Sequence, residues 1–147
     1  MTVALNTTLK SAPWSSTWQV RASSALTADF TSDAQPGVDR FSAAIIHFKS
    51  AAAVGGTSPT LNCYVQTLLP DNSTWCDIVS FPQVTSSALD QTANVVSSGN
   101  SIFTVTTGTL AANTVRTMPL GHTWRVFLDV GGTSPSFVCQ VEITFIE

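Results

Sequence analysis

Val54-Gly55-Gly56-Thr57-Ser58-Pro59-Thr60-Leu61-Asn62-Cys63-Tyr64-Val65 returns later in the chain as Val130-Gly131-Gly132-Thr133-Ser134-Pro135-Ser136-Phe137-Val138-Cys139-Gln140-Val141. The match is unbroken from the first Val to Pro, and a Cys and a Val fall in step beyond it. Glycine reaches backbone angles that other residues avoid, and proline fixes its own φ and donates no hydrogen bond. Such a segment ends a strand, so each copy is expected to form the loop of a β-hairpin. One turn recipe used twice and an ancestral duplication both account for the repeat, and the residues alone leave the two open.

Each copy leads into an alternating run. Phe137, Cys139, Val141, Ile143 and Phe145 fall on one side of an extended chain, with Val138, Gln140, Glu142 and Thr144 on the other. Leu61, Cys63, Val65 and Thr67 likewise oppose Asn62, Tyr64 and Gln66. A period of two marks a strand with one buried face.

Working outward, further strands are expected at Trp18–Phe30, Arg40–Lys49, Thr60–Leu69, Thr74–Phe81, Ser101–Thr107, Thr114–Met118, Thr123–Val130 and Ser136–Ile146. Ala43 to Phe48 is apolar at both parities, which points to a central strand covered on both faces. Pro70-Asp71-Asn72-Ser73 is a turn joining two of these strands. Ser86 to Asn100 lacks a core period and reads as a long surface connection, and no segment reads as a helix. The fold class is all-β: a two-sheet antiparallel sandwich, jelly-roll or Greek-key in connectivity. Residues 1–17 read as an extended N-terminal arm and residues 18–147 as the β-sandwich domain.

The chain has 147 residues, 44% hydrophobic and only 10% charged, with net charge −3. This length suits one domain. Ser and Thr take over much of the polar role, which suits strands and a surface that meets other subunits. The six Lys and Arg residues never cluster. A nucleic-acid binder needs clustered cations, so neither nucleic acid nor an anionic membrane surface is an expected partner. The start lacks the basic and apolar regions of a signal peptide, and no stretch is long enough to span a bilayer.

Nothing in the sequence assembles a catalytic, cofactor or metal motif, so no catalytic residue, cofactor or metal is expected. His47 and His122 stand apart. Asp71, Asn72 and Asp77 lack the order of a calcium loop, and turn hydrogen bonding accounts for such residues. Cys63, Cys76 and Cys139 form no zinc or redox spacing; Cys63 and Cys139 fall on the inward faces of their strands and read as small buried residues, or as a disulfide if those strands are neighbours with suitable geometry. Trp75 and Trp124 read as core. The candidates for partner contact are Leu5, Trp14 and Trp18, in or beside the arm, and Tyr64, opposite the inward Cys63. Tryptophan is a favoured interface anchor, and an exposed Tyr64 could instead stack on a sugar ring.

The two Gly-Thr-Ser-Pro loops, Asp71-Asn72-Ser73-Thr74-Trp75, Phe81-Pro82-Gln83-Val84-Thr85 and Gly132-Thr133-Ser134-Pro135-Ser136-Phe137 resemble small β-sandwich virion proteins of tailed bacteriophages, over about residues 40–146. Within that group the chain is most like capsid decoration (cement) proteins. The resemblance implies a non-enzymatic protein on the outer capsid surface that stabilises the shell. It further implies a homotrimer, the major capsid protein as partner and assembly in the host cytoplasm. A tail, neck or fibre component is the alternative within virions, and a carbohydrate-binding sandwich module is the alternative outside them.

Overall fold

The computed structural model describes residues 4–5, 15–99 and 101–147. The strands are β1 (Ala4–Leu5), β2 (Ser15–Leu26), β3 (Phe30–Thr31), β4 (Gln35–Pro36), β5 (Ala43–Ser50), β6 (Thr57–Leu68), β7 (Trp75–Ser80), β8 (Leu89–Val96), β9 (Thr114–Val115), β10 (Thr123–Thr133) and β11 (Phe137–Ile146). A 3-10 turn, Val38–Arg40, lies between β4 and β5. One sheet has the order β1-β2-β11-β5-β8. The other runs β3-β10-β6-β7-β9, with β4 also paired to β10. All pairings between these strands are antiparallel, so the chain is an all-β sandwich.

The alternation expected of β11 is the alternation found: Phe137, Cys139, Val141, Ile143 and Phe145 are buried. They meet Leu61, Cys63 and Val65 of β6 and Trp124, Val126 and Leu128 of β10 in one core cluster. Ring contacts knit the layers together. Phe145 stacks on Phe41 at 5.2 Å and meets Trp124 edge-on at 5.4 Å, while Phe48 meets Phe81 at 5.3 Å. Each such buried side chain stabilises by roughly 1.5–3 kcal/mol relative to exposure.

The repeated segments are not hairpin loops. β5 and β6 lie in different sheets, as do β10 and β11, so each Gly-Gly-Thr-Ser-Pro segment carries the chain across the sandwich. A turn's local chemistry specifies the bend, not the sheet that receives the next strand. The two segments also seat on each other. A Cβ on Gly56 (φ +79°) would lie 2.6 Å from the Thr133 carbonyl oxygen, and one on Gly132 (φ +97°) 2.6 Å from that of Ser58. Gly56 thus abuts Thr133–Pro135 while Gly132 abuts Thr57–Pro59, the same three positions of the other copy. The strand order carries the same twofold relation. Setting aside the two-residue β1 and β9, exchanging β2 with β7, β3 and β4 with β8, β5 with β10, and β6 with β11 turns one sheet's order into the other's and the first half of the chain into the second. A duplication would leave this pattern, whereas a turn recipe used twice does not require it.

Other expectations also change. Ser86 to Asn100 is not merely a connection, because it contains β8, which pairs with β5 over eight positions. Ser101 to Thr107 is not a strand, and only Thr114–Val115 of the next expected strand forms. β5 is central in its sheet but covered on one face only, since Ile45 on its outer side is 40% exposed. The expected strand at Trp18–Phe30 runs instead from Ser15 to Leu26, so a boundary between residues 17 and 18 cuts through β2.

The turn between β6 and β7 is built as expected. Asp71 Oδ1 accepts from the backbone N–H of Ser73 (3.0 Å) and Thr74 (2.9 Å), and Oδ2 accepts from the Thr74 hydroxyl at 2.5 Å. The Thr74 hydroxyl and then the two N–H groups hold the Asp71 carboxyl down at about 2. A depressed carboxyl contributes stability above its ordinary value and loses it as pH falls through the depressed one. Asp71→Asn is therefore expected to destabilise the protein at neutral pH but not below pH ~2, where the wild-type carboxyl is itself protonated. Urea melts of both proteins across that range check it; an equal gap at all pH values contradicts it.

Candidate functional site

The concentration of polar side chains lies on the outer face of the second sheet. That face should be wet, yet it is covered. Residues 97–99 leave β8, and residues 101–113 run beside β7 on the side away from β6 and cross over the face before β9. Asp77 holds this strap. Its carboxylate is fully buried in the middle of β7. Oδ1 accepts from Gln66 Nε2 and from the Gly108 N–H, both at 2.8 Å, and Oδ2 accepts from the N–H groups of Thr109 and Leu110, both at 3.1 Å. Three successive N–H groups thus point at one carboxylate, an arrangement that concentrates partial positive charge on an anion.

Arg116 braces the same strap, and Arg125 braces the sheet beneath it. Arg116 Nη1 donates to the Asp77 carbonyl (3.0 Å) and to Cys76 Sγ (3.2 Å). Its Nη2 donates to the Thr104 carbonyl (2.9 Å) and the Thr106 hydroxyl (3.2 Å), and its guanidinium lies 4.3 Å from the centre of the Phe103 ring. Arg125 Nε donates to Gln66 Oε1 at 2.7 Å, and its guanidinium lies 4.3 Å from the centre of the Trp75 ring. Burial lowers the Arg125 pKa, with the Asp77 charge opposing that shift. On the backbone, the Asp77 N–H donates to the Thr106 carbonyl and the Thr107 hydroxyl to that of Trp75. These hydrogen bonds occupy both carboxylate oxygens of Asp77, so the cluster organises structure.

The candidate contact residues separate. Trp18 is 1% exposed, in the core, because it falls on the inward side of β2. Tyr64 does point away from the core, as its alternation implied, yet it is only 6% exposed. It stacks on Phe127 at 6.1 Å, and the strap's Gly108 packs on that Phe127 ring. Burial, followed by Asp129 and Asp77, raises its pKa. Neither Trp18 nor Tyr64 offers a surface to a partner or a sugar. Trp14 lies outside the described residues. Leu5 lies in β1, where its backbone pairs with Ser16, and its side chain also lies outside them.

Of the two expected core tryptophans, Trp124 is in the core, whereas Trp75 is half-buried on the outer face under Arg125. Asp71 and Asp77 serve the turn and the strap separately and form no joint site. His47 lies on the outer side of β5, its Nε2 2.6 Å from Asp90 Oδ1 of β8, with Lys49 Nζ 3.9 Å from Oδ2. His122 Nδ1 is 3.0 Å from the Thr123 hydroxyl, and the residue lines a groove of about 320 Å³ with Leu69, Pro70, Asn72 and Met118. Cys63 and Cys139 are free and buried, and burial pushes both thiols up. Among the described residues, no group of three His, Cys, Asp or Glu stands close enough to hold a metal ion.

The surface left exposed is short of charge and in places apolar. Val96, Ile102, Val105 and Val115 all stand out to solvent, Ile102 completely. All four come after the middle of β8 in the chain, in the strap or at the strand ends that flank it. Sequence reasoning missed Asp77. Its signal was a lone carboxylate inside Trp75-Cys76-Asp77-Ile78-Val79, where an apolar run leaves an acid no solvent-facing excuse. No protein-family model and no curated protein matches the chain.

Proposed function

We propose that this chain is a non-enzymatic structural virion protein that decorates the outer surface of a tailed-phage capsid and stabilises the shell. One observation carries the reading. The Asp77 carboxylate and the Arg116 guanidinium, groups able to do chemistry, are engaged in pinning the chain's own strap, with Gln66 bonded to Asp77 and Arg125 to Gln66 beneath it, while the exposed surface is poor in charge. Such a surface suits contact rather than turnover. The partner is the major capsid protein, the active form is a homo-oligomer with a trimer favoured, and assembly takes place in the host cytoplasm. Closed symmetry lets each modest contact act several times over. A net charge of −3 with scattered cations suits the outside of the shell rather than the genome side.

The strand order supports a jelly-roll reading of the sandwich, with β2-β11-β5-β8 in one sheet and β3/β4-β10-β6-β7 in the other. A tail, neck or fibre component would use the same kind of surface and differs in where it binds. The carbohydrate-module reading loses its stacking residue, because Tyr64 lies beneath the strap.

Co-sedimentation with shells that lack the protein tests the reading. The full chain is expected to pellet with shells, and a chain without residues 2–14 to bind more weakly while its β domain still melts cooperatively. Failure of the full chain to bind shells, combined with binding to tails or to a glycan, overturns it.

A further inference from the structure

A sandwich has sheet edges, and an edge with free N–H and C=O groups is a template for another strand unless it is blunted. Three edges of this molecule are blunted. β2 carries two register shifts against β11, holds Arg21, and has β1 across Ser16 and Thr17. β3 and β4 are two residues each, separated by a stretch containing Asp33, and β4 contains Pro36. β9 is two residues long, and the strap occupies β7 beside it.

β8 differs. It is eight residues long, pairs with β5 without a register shift, and contains neither proline nor lysine. Its one charge, Asp90, sits near its start and is already matched by His47 and Lys49 of β5. From Gln91 to Val115 the chain contains no Asp, Glu, Lys, Arg or His, a run of 25 residues in a chain whose net charge is −3. Val96, Ile102, Val105 and Val115 are the exposed apolar side chains of that run, and Ile45 stands beside Asn94 on the adjacent strand.

We propose that copies of this chain associate with one another through the β8 edge and its uncharged flank. Acidic molecules repel one another, and this is the stretch where nothing in the chain repels its own copy. A charged partner would find no group here to pair with. β8 ends its sheet's strand order, with only the Ser97–Met118 bridge just past its end, and a second copy supplies a further backbone ladder and apolar side chains. Twofold symmetry sets β8 antiparallel against β8, and a ring of three sets it against a different surface of the neighbour; the mass of the assembly reads out which.

Light scattering of the purified full chain at high micromolar concentration tests this. The wild type is expected to be a discrete oligomer. Thr92→Lys with Asn94→Lys, both on β8, is expected to weaken association by at least ~100-fold, because two long charged side chains enter an uncharged contact. Ser23→Lys with Ala25→Lys, exposed on β2, is expected to leave the mass unchanged. A monomeric wild type overturns the proposal, as does a β8 variant that keeps its mass or a β2 variant that alone dissociates. Should the β8 variant fail to fold, amide exchange of the wild type decides: β8 protection that rises with protein concentration supports the proposal, and protection independent of concentration overturns it. The surface stands apart from the capsid reading. An oligomer that ignores shells removes that reading and leaves the surface intact.

Discussion

Asp77→Ala is expected to cost about 3–5 kcal/mol of stability, the range for removing one partner of a buried charged network. The cost arises from what the substitution leaves behind. The N–H groups of Gly108, Thr109 and Leu110 lose their acceptor, as does Gln66 Nε2. Water can re-enter only by lifting the strap, which uncovers Tyr64 and Phe127. Each buried donor left unpaired costs roughly 1–3 kcal/mol, and the strap's release relieves part of the sum. For a chain of this size the melting temperature falls by roughly 6–20 °C. Asp77→Asn keeps the shape and one acceptor oxygen but turns an NH₂ toward a backbone donor, so its loss is expected at about half that of the Ala variant. Thermal melts give the magnitude, and amide exchange at residues 108–110 gives the cause. A shift within about 1 kcal/mol for Asp77→Ala, with those amides still protected, contradicts the role given to Asp77.

Gly132→Ala and Gly56→Ala carry the second large expected effect. At Gly132 a Cβ would lie 2.6 Å from the Ser58 oxygen, 2.8 Å from the Thr57 oxygen and 2.9 Å from the Pro59 Cα. At Gly56 it would lie 2.6 Å from the Thr133 oxygen and 3.0 Å from the Ser134 oxygen. All of these are backbone atoms, so no side chain can swing aside, and both glycines have positive φ. Each substitution is expected to cost about 2–4 kcal/mol, the sum of overpacking and backbone strain. Gly55 is the control. It also has positive φ (+71°), but nothing lies within 4 Å of its Cβ position, so Gly55→Ala meets only the strain of about 1–2 kcal/mol. Urea midpoints for the three variants check the order. Equal losses at Gly55 and Gly132 would mean that the mutual seating of the two segments contributes nothing.

Much of the architecture was legible where one face of a strand is buried and the other wet. Phe137 to Phe145 announces β11 through its period of two, and Asp71 announces its turn through side-chain chemistry that acts within three residues. β8 was not legible, because an edge strand beside a single partner has little to bury. Only Val95 of its residues is fully inside, and Gln91, Thr92 and Asn94 look like loop. Ile102, Phe103 and Val105 misled in the opposite direction, since their apolar spacing suits a strand but serves a strap held mainly by polar bonds to Asp77 and Arg116. Tyr64 was assigned correctly to the face away from the core. Its burial depends on residues some forty positions later, which no local pattern reports. The passage of Gly56 and Gly132 between sheets is invisible for the same reason, because it depends on which strands lie side by side.

As a proposed decoration protein, the chain is expected to stabilise a larger shell by contact. Calorimetry of capsids that lack the protein, with and without the purified full chain added, measures that stabilisation. The expected result is a shell transition that moves to higher temperature in proportion to occupancy and saturates with added protein. A transition unchanged at saturating protein would contradict it.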